Sequence, residues 1–376
     1  TVGMVFTTTA WNFMPANCTG AGHRVRWSTM TTERKIIILT DGHTDPHTAK
    51  TAICVLRYKP QEVVAVLDSH SAGKTCQEVV GVGGPIPIVA SLADAPEANT
   101  LLIGIAPPGG KIPQAWRSII LKAIARKLTI VSGLHDFLNH DPEFSAAAGE
   151  HGVELVDVRA NDERDCANRE GIRDDCLRIH TVGNDCSLGK MLVAVEVSNG
   201  LKGAGIDAKF VATGQTGIMV EGDGCAVDCV TADFVNGAAE RLVLANQDHD
   251  VIVIEGQGSL FHPRYSCVTL GLLHGSMPDG LILCYEMGRE VIGGMPDFPL
   301  AQLERVREIY EMSANIMHPC RVIGVAMNSS KYSDEAAAEE RRQVRRRLGL
   351  PVCDVIRHGP DELVEAILNL KRTLKK

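Results

Sequence analysis

The chain has 376 residues, 45% of them hydrophobic and 22% charged, with a formal net charge of −8. That length suits two domains better than one core, and the composition is that of a soluble globular enzyme, not a disordered or fibrous chain. A mildly negative balance offers no general attraction to nucleic acid or anionic membrane, and no apolar run reaches the length of a membrane span, so neither is expected as a partner.

Residues 1–29 lack periodicity, hold two of the three tryptophans and contain no apolar core of signal-peptide length. A loose arm or an over-extended start ahead of Met30 is expected over residues 1–30. From Lys35 onward short β-branched runs alternate with amphipathic stretches. Strands are predicted at Ile36–Leu39, Val63–Leu67, Ile86–Val89, Leu101–Ile105, Thr129–Val131 and Leu155–Val158, and helices at Ala49–Tyr58, Lys74–Val80 and Trp116–Lys127. Continuous apolar strands alternating with helices indicate parallel sheet covered on both faces, with right-handed crossovers.

The polar stretch Asn161–Asp175 interrupts this rhythm and reads as a linker. Beyond it the alternation restarts at Leu177–Val182, Lys209–Ala212, Val251–Ile254, Leu281–Cys284 and Val322–Met327. The fold class is therefore α/β, with a Rossmann-like parallel-sheet domain over residues 31–165. A P-loop nucleoside-triphosphate-hydrolase-like α/β domain follows over residues 166–376. Arg341, Arg342, Arg345, Arg346 and Arg347 are interleaved with Glu339 and Glu340 and read as a solvated helix face. The 12 cysteines contain no CxxC pair and read as reduced thiols of a cytoplasmic protein.

Gly183-Asn184-Asp185-Cys186-Ser187-Leu188-Gly189-Lys190 lies between the strand Leu177–Val182 and a helix predicted over Met191–Leu201. Strand, glycine-flanked loop, lysine and helix are what a phosphate cradle requires: loop N–H groups and the helix N-terminus face the anion, and Lys190 reaches the terminal phosphates. Five residues separate the glycines where four are usual. Met191 stands where Ser or Thr normally holds Mg²⁺, and a thioether is a poor ligand for that ion. A ligand whose diphosphate serves as a handle, such as acyl-CoA, suits the loop better than Mg²⁺-assisted phosphoryl transfer, and no metal site is expected.

Other strand ends carry polar groups at the edge where this fold class binds ligands. Glu255, in Glu255-Gly256-Gln257-Gly258-Ser259-Leu260, could hold a water-bound cation or act as a base, and capping of the next helix explains it equally. Gln215 and Thr216 follow Lys209–Ala212. Asn328 could bond an adenine edge or simply form a turn. In the N-terminal half no G-x-G-x-x-G fingerprint follows Ile36–Leu39, which argues against a nicotinamide oxidoreductase. His43, Asp45 and His47 could suggest metal ligands, but with no closed ligand set they read as a solvated turn. His135-Asp136 could be a base with its orienting carboxylate, but adjacent residues seldom face each other, and they read as a cap on the helix after them.

The loop resembles the long-form loop of dethiobiotin synthetases. It is more similar still to the Gly-x-Asp-Cys-x-x-Gly-Lys-Met of a family of two-domain proteins, the D-glutamate N-acetyltransferase-like proteins. Ala212–Met219, Ala232–Val235, Glu255–Leu260 and Gly275–Asp279 look like further blocks of that family. In the N-terminal half Leu102–Gly110 and Val131–Leu138 do the same, so the resemblance covers about Lys35 to the C-terminus. It implies acetyl transfer from acetyl-CoA to the amine of D-glutamate, in amino-acid catabolism. That reaction needs a base for the amine, for which Glu255 and His262 are candidates, and cations for the acceptor's carboxylates, for which Arg264 and Arg289 are candidates. Gln215, Thr216 and Gln257 complete the expected substrate contacts. Residues 183–191 and Asn328 complete the expected cofactor contacts. Two other readings stay open: an ATP·Mg²⁺-dependent ligase or kinase of the dethiobiotin synthetase type, and a non-catalytic nucleotide binder. A homo-oligomer is expected.

Overall fold

The computed structural model describes residues 33–376 apart from His47 and Pro108. The expected arm over residues 1–30, and His47 of the turn after the first strand, lie outside the described residues.

Ile36–Leu39 (β1), Val63–Leu67 (β2), Ile88–Val89 (β3), Thr100–Ile103 (β4), Thr129–Ser132 (β5) and Leu155–Asp157 (β6) form one wholly parallel sheet in the order β3-β2-β1-β4-β5-β6. Lys50–Tyr58 (α1), Cys76–Val80 (α2), Arg117–Ala125 (α3) and Pro142–His151 (α4) are its helices. Every side chain of β1 and β4 is buried, which is why these strands read as unbroken apolar runs. Local chemistry sets the helix starts. Asp141 accepts from the amides of Glu143 and Phe144 while Pro142 opens α4, and Thr75 with Glu78 forms a capping box on α2. β4 ends earlier than predicted because the chain turns off at Gly104, whose carbonyl accepts from Ala52 of α1 at 2.9 Å.

The second sheet is built from Leu177–Gly183 (β7), Ala208–Val211 (β8), Val251–Ile254 (β9) and Gly280–Glu286 (β10). A separate antiparallel hairpin, Val291–Ile292 (β11) with Met295–Pro299 (β12), interrupts it before Arg321–Asn328 (β13) and Val352–Cys353 (β14). Its order is β14-β13-β10-β7-β9-β8, again all parallel. Helices Lys190–Gly203 (α5), Gln215–Glu221 (α6), Val235–Leu244 (α7), Ser266–Ser276 (α8), Leu303–Asn315 (α9), Asp334–Leu348 (α10) and Asp361–Leu374 (α11) cover it. β7 is central, and the phosphate loop leaves its carboxyl end. The arginines of α10 are ion-paired on the surface: Arg341 and Arg345 with Glu362, Arg342 with Glu339, and Arg347 with Glu304. They form the solvated face expected of them.

The two sheets share a seam. One apolar cluster contains Ala49, Ala52, Val55 and Leu56 of the first domain together with Val193, Val197, Ile218 and Met219 of the second. Thr51 and Thr216 are hydrogen-bonded across it at 2.9 Å, and Tyr58 donates to Glu196 at 2.7 Å. The connecting stretch 161–175 has no helix or strand but is laid along α7. Glu163 is ion-paired with Arg241, and Glu240 accepts from the amides of Asn168 at 3.0 Å and Arg169 at 2.8 Å.

That contact is close enough to require glycine: a Cβ on Gly237 would lie 1.8 Å from the carbonyl oxygen of Asp165. Gly237→Ala must push the connecting stretch off α7 and is expected to cost about 1–3 kcal/mol. Urea unfolding checks this, and an unchanged midpoint would contradict the packing.

Candidate active site

β7 delivers the phosphate loop, which curls through left-handed conformations at Ser187 (φ 54°) and Gly189 (φ 97°) before α5 begins at Lys190. Lys190 is buried, and among the described residues its ammonium makes one hydrogen bond, to the carbonyl of Asp185 at 2.7 Å. Burial pushes its pKa below the ordinary lysine value. A buried ammonium with three donors and one acceptor is a cation in want of an anion. Nearby Asn184 is also buried, and its side-chain oxygen has no partner among the described residues. These residues fit a phosphate-bearing ligand. Met191 turns the other way and packs against the apolar cluster beneath the loop. Thr181, Ser259 and Tyr310 brace the loop's base: Thr181 accepts from Gly256 N at 2.9 Å, while Ser259 and Tyr310 donate to Gly183 O at 2.8 and 2.9 Å.

One flank of the loop is a clamp around the fully buried Asp185. Its carboxylate accepts from Cys186 N at 2.7 Å, Gly293 N at 2.7 Å and Arg289 at 2.8 Å. Gly293 belongs to the turn between β11 and β12, so this hairpin is tied down over the loop. Arg289 is shared among Asp185, the carbonyl of Cys186 and Glu286. His262 lies 4.0 Å from Asp185, accepts from Arg264 N through Nδ1 at 3.2 Å, and faces Gly293 O through Nε2 at 3.3 Å. Both ring nitrogens are therefore engaged. Arg264 is exposed beside Gly294. The donor atoms of Asp185, Cys186 and His262 lie within 4.8 Å of one another. A cation there would have to displace the bonds that Asp185 and His262 already make. Asn328 ends β13 opposite Glu286 of β10, and its side chain accepts from Ser330 N at 3.2 Å in a turn.

The other flank faces the first domain. Glu255 is buried at the end of β9 and accepts from Thr213 N at 2.9 Å, Gly214 N at 3.1 Å and the Gln257 amide at 3.0 Å. It thus meets the start of α6, not the helix that follows it in sequence. Burial raises its pKa to about 7, more than its three neutral donors lower it. Gln215 lies against Gly133 of the first domain, and Thr216 bonds Thr51. Glu255, Gln257, Gln215 and Thr216 are thus together at the seam, while His262, Arg264 and Arg289 lie on the clamp side.

Residues 165–364 match the family model described as DUF1611, a domain of unknown function (DUF1611_C) with a P-loop, and residues 69–161 match its Rossmann-like companion, DUF1611_N. The chain belongs to the DUF1611 family. Two curated members are named D-glutamate N-acetyltransferase. One, from Tritonibacter scottomollicae, is 37% identical over 324 residues, covering 85% of this chain and 94% of its own. The other, from a Pseudoalteromonas species, is 38% identical over 268 residues, 71% of this chain and 80% of its own. A crystal structure of a DUF1611 protein from Anabaena variabilis superposes with a TM-score of 0.85 at 36% identity, over 89% of this chain and 99% of that one. The Rossmann-like and P-loop domains are thus as expected, and the resemblance to the D-glutamate N-acetyltransferase-like proteins holds. Among the described residues no helix is long and apolar enough to cross a membrane.

The DUF1611 site also contains residues that sequence reasoning passed over. Lys50 opens α1 one turn before Cys54 and next to Thr51, which bonds across the seam. Its pKa is lowered, mainly by burial, with the Arg159 guanidinium adding to this and the Cys186 and Cys54 thiols opposing. A cation at a helix N-terminus runs against the helix dipole, and that misplacement was the available signal. Arg159, just beyond β6, is 7% exposed, ion-paired with Asp228 and bonded to Gly133 O at 2.7 Å. Asp136 accepts from Ile112 N at 3.0 Å and does not cap the helix after it; Asp157 takes the amides of Leu138 and Asn139 instead.

Asp185→Ala would leave Arg289 and the Gly293 amide without their partner. A loss of about 3–5 kcal/mol is expected in denaturant unfolding. A loss below about 1 kcal/mol would mean that the carboxylate does not hold the hairpin over the loop.

Proposed function

We propose that the protein transfers the acetyl group of acetyl-CoA to the amine of D-glutamate or a related amino acid, in cytoplasmic amino-acid catabolism, with Gly183–Lys190 holding the phosphates of the co-substrate. The names of the two curated relatives support the N-acetyltransferase reading. The observation that carries it in this chain is Glu255, a buried carboxyl whose pKa of about 7 suits a general base, located beside a phosphate loop.

The chemistry asks for three things. The acceptor arrives as an ammonium and must lose a proton before its nitrogen can attack, and Glu255 takes it. Both substrates must be brought to one place and oriented there, and the seam between the domains supplies walls from both. The phosphates must be held without demanding a metal, and the free donors of Lys190 with the start of α5 do that. Gln257 bonds Glu255 and orients its carboxyl. The ATP·Mg²⁺ reading needs oxygen ligands beside the loop. Met191 is half-buried against the apolar cluster, Asp185 is held by Arg289 and Gly293, and Glu286 is held by Arg289 and Lys331.

Free-thiol release from acetyl-CoA, screened over D- and L-amino acids with ATP hydrolysis measured in parallel, tests the reading. Thiol release with D-glutamate, lost in Lys190→Ala, is expected; phosphate release without thiol would overturn it. Because the ionised form of Glu255 is the active one and its pKa is raised, kcat/KM should climb with pH to a plateau, half-maximal at about 7. Glu255→Gln should lower the rate about 10²–10⁴-fold and abolish that limb. A pH profile unchanged in Glu255→Gln would remove Glu255 as the base.

A further inference from the structure

The seam brings together three side chains that the acetyl transfer just described does not use. His135, in the loop after β5, places Nδ1 3.5 Å from the sulfur of Cys229. Cys229 closes the short helical turn Val227–Cys229 of the second domain. Arg159 reaches the same sulfur at 3.9 Å while its Nε is fixed to Gly133 O and its guanidinium to Asp228. The arginine is buried, the thiol half-buried and the imidazole exposed, so the sulfur is backed by a charge and open on one side.

The pair is held from both domains. His135 N donates to Gly110 O at 2.8 Å, and a Cβ on Gly110 would come within 2.5 Å of the imidazole ring, so the ring's seat depends on bare backbone there. On the other side Val227 N donates to Thr213 O at 3.0 Å, and Thr213 N donates to Glu255 at 2.9 Å. The turn carrying Cys229 therefore hangs from the residue that binds the proposed base.

We propose that Cys229 carries the acetyl group between the two substrates, with His135 as its base and Arg159 steadying charge on the sulfur. This rests on the acetyltransferase reading. At neutral pH the resting pair is an uncharged thiol and an uncharged imidazole. Burial and Asp228 hold the thiol above its ordinary pKa, and burial and Arg159 hold the imidazole below its own. The nucleophile is generated as it attacks.

In the first half-reaction the Cys229 proton passes to His135 Nδ1 as sulfur bonds the acetyl carbonyl carbon. The carbon–sulfur bond to CoA breaks, and the departing thiolate takes the proton from His135. One thioester replaces another, so no co-reactant is needed. In the second half-reaction Glu255 takes the extra proton of the acceptor's ammonium and releases it to solvent. The amine nitrogen then attacks the Cys229 thioester and the carbon–sulfur bond breaks. The proton lost by nitrogen on forming the amide reaches the sulfur by way of His135. The balance is acetyl-CoA plus ammonium giving amide, free CoA thiol and one proton.

The test is to mix the full chain with acetyl-CoA and no acceptor, quench in acid and map the acetylated peptide by mass spectrometry. One acetyl group on Cys229, discharged by adding D-glutamate, is expected, together with parallel double-reciprocal plots. Cys229→Ala should lose the label, and His135→Ala should slow labelling on the order of a hundred-fold. Cys229→Ser, which preserves the shape, and thermal melting of each variant separate chemistry from misfolding. A wild-type protein that makes N-acetyl-D-glutamate with intersecting plots, with no label at Cys229 and with full turnover in Cys229→Ser, overturns the relay and leaves the transferase standing. A wild-type protein that releases no thiol with any acceptor overturns both.

Discussion

The apolar seam between α1 and α6 is the constraint on which the rest of this molecule depends. Domains joined by a polar connection are ordinarily free to move against each other. Here the core of one sheet runs into the core of the other through Ala52, Val55, Ile218 and Met219, and Thr51 bonds Thr216 inside it. Because α1 follows β1 and α6 follows β8, packing them together turns the ligand-binding edges of both sheets towards each other. Gln215 meets Gly133, His135 meets Cys229, and Arg159 meets Asp228 as consequences of that one packing choice. The seam is thus walled by residues of both domains.

Two buried carboxylates show how partners decide roles. Asp185 and Glu255 are both removed from solvent, and both accept from backbone amides. Asp185 also has Arg289, so its charge is balanced and it serves as a clamp that ties the β11–β12 turn to the phosphate loop. Among the described residues Glu255 has only neutral donors, the penalty for burying its charge is not repaid, and its proton is held to about pH 7. A structural anion and a candidate base thus stand on opposite flanks of one loop.

Much of the architecture was legible in the sequence because the strands are buried on both faces. β1, β2 and β9 run over the residues predicted for them, since an unbroken apolar run bounded by polar residues has few other uses. The phosphate loop was legible for a different reason: its whole meaning lies within a strand, eight residues and a helix. The hairpin over the loop was not. Met295–Pro299 is mostly exposed, and neither it nor Val291–Ile292 shows the alternation of a half-buried strand. Arg289 read as a cation free for substrate, and only the fold shows it bonded to Asp185, 104 positions away. Cys229 falls outside the blocks that resemble the family, and His135, 94 positions away, falls inside one without any sign of that partner. Their association is created by the seam, which no local pattern encodes.

The reading of the phosphate loop as a handle for CoA joins the transferase chemistry to the packing of Met191. Calorimetric titration of the full chain with CoA and with ATP, each with Mg²⁺ and with a chelator, tests it most directly. CoA binding that is indifferent to Mg²⁺ and lost in Lys190→Ala is the predicted result. Binding of ATP only with Mg²⁺, and none of CoA, would contradict it.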